Sequence, residues 1–356
     1  MDFGPTQQPP TAGQPPSFEL PIAAAMPPAP ARKKSGWRVF VWIILAISIA
    51  GNMFLFLGLI AMAAVLSPGM EMFDGARHEY VEQTLVRGPG SHKIAVINMR
   101  GLIDDALRVE VCSQLDAASR DHRVKAVILR TVTPGGTVSA SDQIHHEIMK
   151  FRQDSGKPVV AFMQSMATSG GYYTSVACDK IVAEPTAITG SIGVLLSNLI
   201  VKNLLEQKLG IEPVTIKSGE KKDWGSMFSE MTDEQKQYFR DKLITPAYER
   251  FVQLVAEGRQ GQLTADEARR LSDGSLYSAQ EAMDKKLIDD VGYMDKAVEL
   301  ARSLSGVSEA RVVEYQRPLT LSSLLGVRAE PPLRLDRSVL EELAAPRLLY
   351  LWDAGN

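Results

Sequence analysis

The chain has 356 residues, 45% of them hydrophobic and 23% charged, and a formal net charge of −3. That length suits one large domain with attachments, and the near-neutral balance excludes a chain-wide basic field of the kind that binds nucleic acid. Two cysteines, Cys112 and Cys178, make neither a disulfide framework nor a metal spacing, and of the five scattered histidines the adjacent His145 and His146 would point about 100° apart on a helix, unable to chelate one ion together.

Nine prolines stand among the Gln, Ala and Gly of the first 31 residues. Such a stretch cannot bury enough apolar surface to order itself, so residues 1–38 read as a disordered, Pro-rich tail with a basic flank at Arg32, Lys33, Lys34 and Arg38. From Val39 to Leu66 the chain runs 28 residues without a charge, more than the roughly 20 needed to cross a bilayer. The run is too long and starts too late for a cleaved signal peptide, and no small-x-small site follows it. Residues 39–66 are therefore expected to be a retained transmembrane helix. Basic residues precede it and Glu71, Asp74 and Glu79 follow it, which predicts a single-pass protein of the inner or cytoplasmic membrane. Its N-terminus is cytoplasmic and its remainder periplasmic or extracellular. Residues 67–91 read as a stalk.

Beyond it, short apolar strands alternate with amphipathic helices. Strands are predicted at Lys93–Met99, Val124–Arg130, Pro158–Met163, Lys180–Ala183, Ser191–Leu195, Val214–Lys217 and Arg311–Tyr315. Helices are predicted at Asp104–Ser119, Ser139–Arg152, from about Ser169, at Asn198–Leu209, and through most of the stretch from Met231 to Ser305. This is the pattern of an α/β fold with a parallel sheet covered by helices, in one domain spanning 92–317. Residues 318–356 form a C-terminal extension. Its aromatic end, Leu348 to Trp352, could pack on a sister subunit, on a membrane surface or on the main core.

Three glycine-rich turns fall at or near consecutive strand ends: Thr133-Pro134-Gly135-Gly136, Ser169-Gly170-Gly171 and Thr189-Gly190-Ser191-Ile192-Gly193. Loops at the C-terminal ends of parallel strands gather at one edge, where sites form, and glycine lets backbone approach a ligand closely. N–H groups of Gly136 and Gly170 could bind one developing oxyanion, with the Ser169 hydroxyl as nucleophile at a helix start. No histidine lies in these turns, so the base that serine needs is sought among lysines. A lysine in that role must lose about three units of pKa, or roughly 4 kcal/mol, to burial or cationic neighbours. Lys217, Lys221 and Lys222 lie in one polar loop, and composition does not choose among them.

Taken together, Ser169-Gly-Gly-Tyr-Tyr, Thr189-Gly-Ser-Ile-Gly, Lys217-Ser-Gly to Lys222-Asp, Gly274 and Ala279–Gly292 resemble the short bacterial signal peptide peptidases of serine peptidase family S49, over about Lys93–Arg302. The resemblance implies a ClpP/crotonase-like fold and a Ser/Lys dyad. Ser169 matches the family nucleophile, and Lys222 the base, with Lys221 the rival if the loop is shifted by one. Ser191 matches the serine that orients the lysine, and Gly136 and Gly170 match the oxyanion donors. It implies homo-oligomers in which neighbours complete each site, no metal or organic cofactor, and peptide substrates left in or near the membrane. One departure stands out: the family's Asn-Ser-Pro-Gly-Gly is replaced by Thr131-Val132-Thr133-Pro134-Gly135-Gly136, which puts the asparagine's hydrogen bonds in question.

The expected function is thus a membrane-anchored serine endopeptidase acting on cleaved signal peptides. Two rivals use the same fold: a catalytically inactive membrane scaffold, and an acyl-CoA enzyme. An anchor that places the domain outside the cytoplasm disfavours the second, because acyl-CoA is cytoplasmic.

Overall fold

The computed structural model describes residues 36–66, 80–317 and 347–352, with the side chains of 61–66 and of Arg347 excepted. Most of the tail expected over 1–38, the stalk up to residue 79 and the extension from 318 to 346 lie outside the described residues. The chain divides into two units, residues 1–76 and 77–356. In the first, helix α1 (Gly36–Leu66) is unbroken and carries one charge, Arg38. Over Gly36–Ile60 its mean hydropathy is 2.4 with nothing packed on it, making it the one described helix long and apolar enough to cross a membrane.

The second unit is the α/β domain. In chain order it holds β1 (Val81–Val86), β2 (Lys93–Arg100), α2 (Asp105–Arg120), β3 (Val124–Thr133), β4 (Gly135–Thr137), α3 (Val138–Ser155), β5 (Val159–Thr168), α4 (Gly170–Ser175), β6 (Lys180–Ala183), β7 (Ile188–Gly190) and β8 (Leu195–Ser197). There follow α5 (Asp233–Phe239), α6 (Thr245–Gly258), α7 (Ala265–Arg270), β9 (Leu276–Ser278), α8 (Ala279–Asp284), β10 (Asp290–Val291), α9 (Met294–Ser305), β11 (Arg311–Gln316) and β12 (Arg347–Leu351). A nine-stranded sheet runs β1-β11-β2-β3-β5-β6-β10, with β7 on β5 and β9 on β7. All its pairings are parallel except β1 with β11 and β7 with β9.

The central strands read as continuous apolar runs because both their faces are buried. Ile94, Val96, Ala126 and Ile128 point to one side, where Ala297, Val298 and Ala301 of α9 cover them. Ala95, Ile97, Met99, Val127 and Leu129 point to the other, beneath residues of α2, α3, α4 and α6. Helix starts follow local chemistry: the Asp104 side chain accepts from Leu107 N at 2.8 Å, and Thr137 caps α3 through Ala140 N. Helix α3 stops at Gly156, whose φ of 66° is the left-handed closing residue.

The expected α/β class with a parallel-dominated sheet is therefore present, while several elements differ in detail. The part of the supposed stalk that is described holds β1, an edge strand whose six residues are all exposed, so no alternation marked it. Of the strand expected at Ser191–Leu195, only Leu195 is in a strand, the first residue of β8, and residues 191–194 connect β7 to it. No strand forms at Val214–Lys217, where Ile216 is 97% exposed: its apolar alternation finds no partner within one chain. The helix expected over Asn198–Leu209 is confined to 202–209, mostly as a π-helical turn. Of the three placements open to the aromatic end of the extension, the structure takes the core: β12 lies between β4 and β8 in a second, antiparallel sheet.

Candidate active site

The site sits where three strands end together. Ser169 follows β5 directly and precedes α4, with φ 53° and ψ −111°. A non-glycine residue at positive φ is uncommon and strained. Backbone contacts hold it there: its N–H donates to Gly190 O at 2.8 Å, and its carbonyl accepts from Tyr173 N at 2.8 Å. The residue is 1% exposed, and its Oγ has no hydrogen-bond partner. A buried hydroxyl left unpaired costs about 1–3 kcal/mol, so local stability is not what this arrangement serves.

The third glycine turn is brought alongside. Parallel pairing of β5 with β7 matches Thr168 to Gly190, so Ser169 and Ser191 follow neighbouring strand ends. Ser191 also has a positive φ, 49°, is nearly buried, and donates its N–H to Ser275 O at 2.7 Å. Gly190, at φ +88°, has no room for a side chain: a Cβ there would meet the Tyr277 ring at 2.6 Å and Ser275 O at 2.7 Å.

The first turn approaches from the other side. A Cβ placed on Gly170 would lie 3.2 Å from Gly136 N, and one on Gly135 would lie 2.9 Å from Gly170 N. The two expected oxyanion donors are thus close neighbours. At the departure from the family pattern, the Thr133 hydroxyl accepts from Gly135 N at 3.0 Å, closing the Pro134–Gly135 bend. The sequence reading missed Ser141, on the first turn of α3. Its hydroxyl is buried without a partner, 2.6 Å from where a Gly170 Cβ would stand. Position alone marks it, and nothing in the local sequence does.

The lysines lie apart from this cluster. Lys217 is paired with Asp223 at 2.7 Å, which draws the Asp223 carboxyl below its ordinary range. Lys221 lies over the rings of Trp224 and Tyr238, 5.0 and 4.7 Å from their centroids. Lys222, in the 3₁₀ turn Glu220–Asp223, is exposed, and its ammonium makes no hydrogen bond or ion pair among the described residues. One chain therefore brings together Ser169, Ser191, Gly136 and Gly170, and gives the Ser169 hydroxyl no lysine to bond.

Aromatic rings cluster around Tyr173 of α4. Tyr173 donates to Asp142 Oδ1 at 2.5 Å, and burial together with that bond holds its phenol well above the usual range. His145 meets the Tyr173 ring edge-on, centroids 5.5 Å apart. Burial holds its imidazole down to about 4, against the pull of Asp142. Cys178 is buried and Cys112 half-buried, both as free thiols raised by burial.

Comparison with known proteins gives a consistent answer. The sequence pattern of Peptidase family S49 matches residues 151–308. The "Putative signal peptide peptidase SppA" of Enterococcus faecium is 33% identical over 269 residues, 72% of this chain and 76% of that protein. A protease-named protein of Synechocystis is 34% identical over 232 residues, 64% of this chain and 81% of its own length. The chloroplastic "Serine protease SPPA" of Arabidopsis thaliana is 30% identical over 242 residues, 66% of this chain but only 35% of that longer protein.

Proposed function

Since the chain belongs to peptidase family S49, and so to a group of proteases, we propose that it is a membrane-anchored serine endopeptidase that degrades cleaved signal peptides and other membrane-associated peptides. The observation that carries this reading is Ser169: a buried hydroxyl without a partner, on strained backbone, beside the close pair of N–H groups at Gly136 and Gly170. Strain and an unpaired polar atom are retained where chemistry uses them.

In this reading Ser169 Oγ attacks the peptide carbonyl while a neutral Lys222 takes its proton. The Gly136 and Gly170 N–H groups hold the oxyanion, and the Ser191 hydroxyl orients the lysine. Water then releases the acyl-enzyme. Lys222 comes from a neighbouring copy of the chain. Supporting this, Lys222 is unengaged within its own chain, and the segment before it exposes Leu204, Leu209, Ile211, Val214 and Ile216, an apolar surface suited to a subunit contact. Burial in such a contact also strips away the water that keeps an ammonium charged.

Helix α1 anchors the peptidase domain, assigned to 92–317, on the far side of the membrane from the basic flank. Tethering concentrates the enzyme where apolar peptide remnants reside, and two of the relatives named above carry signal peptide peptidase or SPPA names. Ser169→Ala in the detergent-solubilised chain should lower hydrolysis of an apolar peptide by about 10³-fold or more, and a fluorophosphonate probe should label the unmodified chain at Ser169. Wild-type turnover by Ser169→Ala would overturn the reading, and a native chain that neither turns over peptide nor takes the probe would favour the inactive scaffold.

A further inference from the structure

Asn52 stands at the middle of the uncharged run 39–66. At 1.5 Å of rise per residue it lies about 20 Å from either end of that run, which in a bilayer is a depth that water does not reach. Its carboxamide has two N–H donors and a carbonyl oxygen able to accept twice. Asn52 Nδ2 donates to Ser48 O at 2.7 Å, and no other bond of this amide occurs among the described residues. A polar group left unsatisfied in hydrocarbon is costly, and polar residues in membrane-spanning helices are kept where they meet a partner.

The residues around Asn52 form a seam. Val41, Leu45, Ser48, Asn52, Leu55 and Leu59 follow one another at alternating steps of four and three. That repeat of about 3.5 residues keeps one side of a helix turned toward a partner helix. Between residues 39 and 60 the aromatic side chains, Phe40, Trp42, Phe54 and Phe56, all fall off the seam. Gly51 and Gly58 border it on one side, and a Cβ on either would meet nothing within 4 Å. Glycine inside a helix lowers its stability. Here it bares backbone for the close approach of a second helix, as small residues do at helix contacts in membranes.

The group that best fits Asn52 is another Asn52. An amide both donates and accepts, so two identical amides at one depth satisfy each other. Copies of one chain cross the membrane in the same direction, set by the same flanking charges. In a parallel pair each seam residue therefore meets its own counterpart at its own level. A different membrane protein would have to offer a polar group at that depth on a seam of the same period.

We propose that α1 is a self-association element. The helices of separate copies pack in parallel along residues 41–59 as a left-handed coiled coil, held in register by hydrogen bonds between their Asn52 amides. This rests on the reading of α1 as a membrane anchor and requires nothing of the peptidase domain.

The test is disulfide scanning of the full chain in isolated membranes, with copper phenanthroline as oxidant. The native chain, whose two thiols are buried or half-buried, is the blank. Ser48→Cys and Leu55→Cys lie on the seam and should give a disulfide-linked dimer. Ala50→Cys and Leu57→Cys lie on the opposite face and should give about tenfold less. Adding Asn52→Leu to Ser48→Cys should slow linkage about tenfold, as loss of one interhelical hydrogen bond does. Asn52→Gln, which keeps the amide, should link at close to the native rate. Equal linkage from both faces overturns the proposal, as does a rate unmoved by Asn52→Leu. So does linkage of Ser48→Cys to a different protein, or no linked dimer from a chain that resists alkaline carbonate washing. Each of these leaves the anchor standing, whereas release of the native chain by carbonate removes the anchor and this proposal together.

Discussion

His145 shows how one buried side chain makes the site region sensitive to acid. Its ring packs against Tyr173, and burial keeps it neutral down to about pH 4, where an ordinary histidine titrates near 6.5. The sign follows from linkage. Between those values the unfolded chain binds a proton that the native one refuses, so stability is complete above about pH 6.5 and is lost as pH falls toward 4. From pH 7 to pH 5 the loss from this residue amounts to about 2 kcal/mol. His145→Leu should flatten the fall of melting temperature over that range. A slope unchanged from the native chain's would show that the imidazole titrates normally. Because Tyr173 also stacks on Tyr350, protonation of His145 should be felt through that ring cluster.

At the scale of elements, the start of β2 is secured by a cation where the sequence suggests only an exposed strand end. Lys93 is 2% exposed, bonded to Glu82 of β1 at 2.5 Å and to Asp121, just after α2, at 3.0 Å. Lys93 is the desolvated member of this cluster; Glu82 and Asp121 are partly exposed and Asp121 keeps Arg123, so removing the cation costs chiefly its two charge-assisted bonds. Lys93→Met is therefore expected to destabilise the domain by about 2 kcal/mol, and Glu82→Gln by clearly less, since Lys93 keeps Asp121. Chemical denaturation would compare them, and equal small effects would refute the argument. This cluster also explains what could be read in advance. β2, β3 and β5 were legible because both faces are buried and their central residues form short apolar runs, and the turns that hold Ser169, Ser191 and the glycines were legible because turns at strand ends have strict residue requirements. β1 was not, since VEQTLV is an exposed edge held by Lys93 and by pairing with β11. Nor was β12, whose register with Gly136 depends on contacts more than two hundred residues apart in sequence. Val214–Lys217 misled because its alternation has no partner inside one chain.

At the scale of the whole molecule, the proposed mechanism makes the unpaired Ser169 hydroxyl and the unengaged Lys222 ammonium complementary halves, and assigns the exposed apolar run between β8 and the lysine turn to a contact between chains. In the proposed assembly such a heterologous contact closes into a ring, each copy giving its lysine to the next. The arrangement makes a quantitative prediction. Chains carrying Ser169→Ala keep the lysine, chains carrying Lys222→Ala keep the serine, and each alone should be inactive. In a random equal mixture of the two within one assembly, about one site in four pairs an intact serine with an intact lysine from its neighbour, so about a quarter of native peptide turnover should return. If the lysine served its own serine, no site in the mixture would be complete and none would return. Co-expression with two affinity tags, purified through both, ensures that every particle assayed contains both chains, so an inactive doubly tagged particle refutes the shared site.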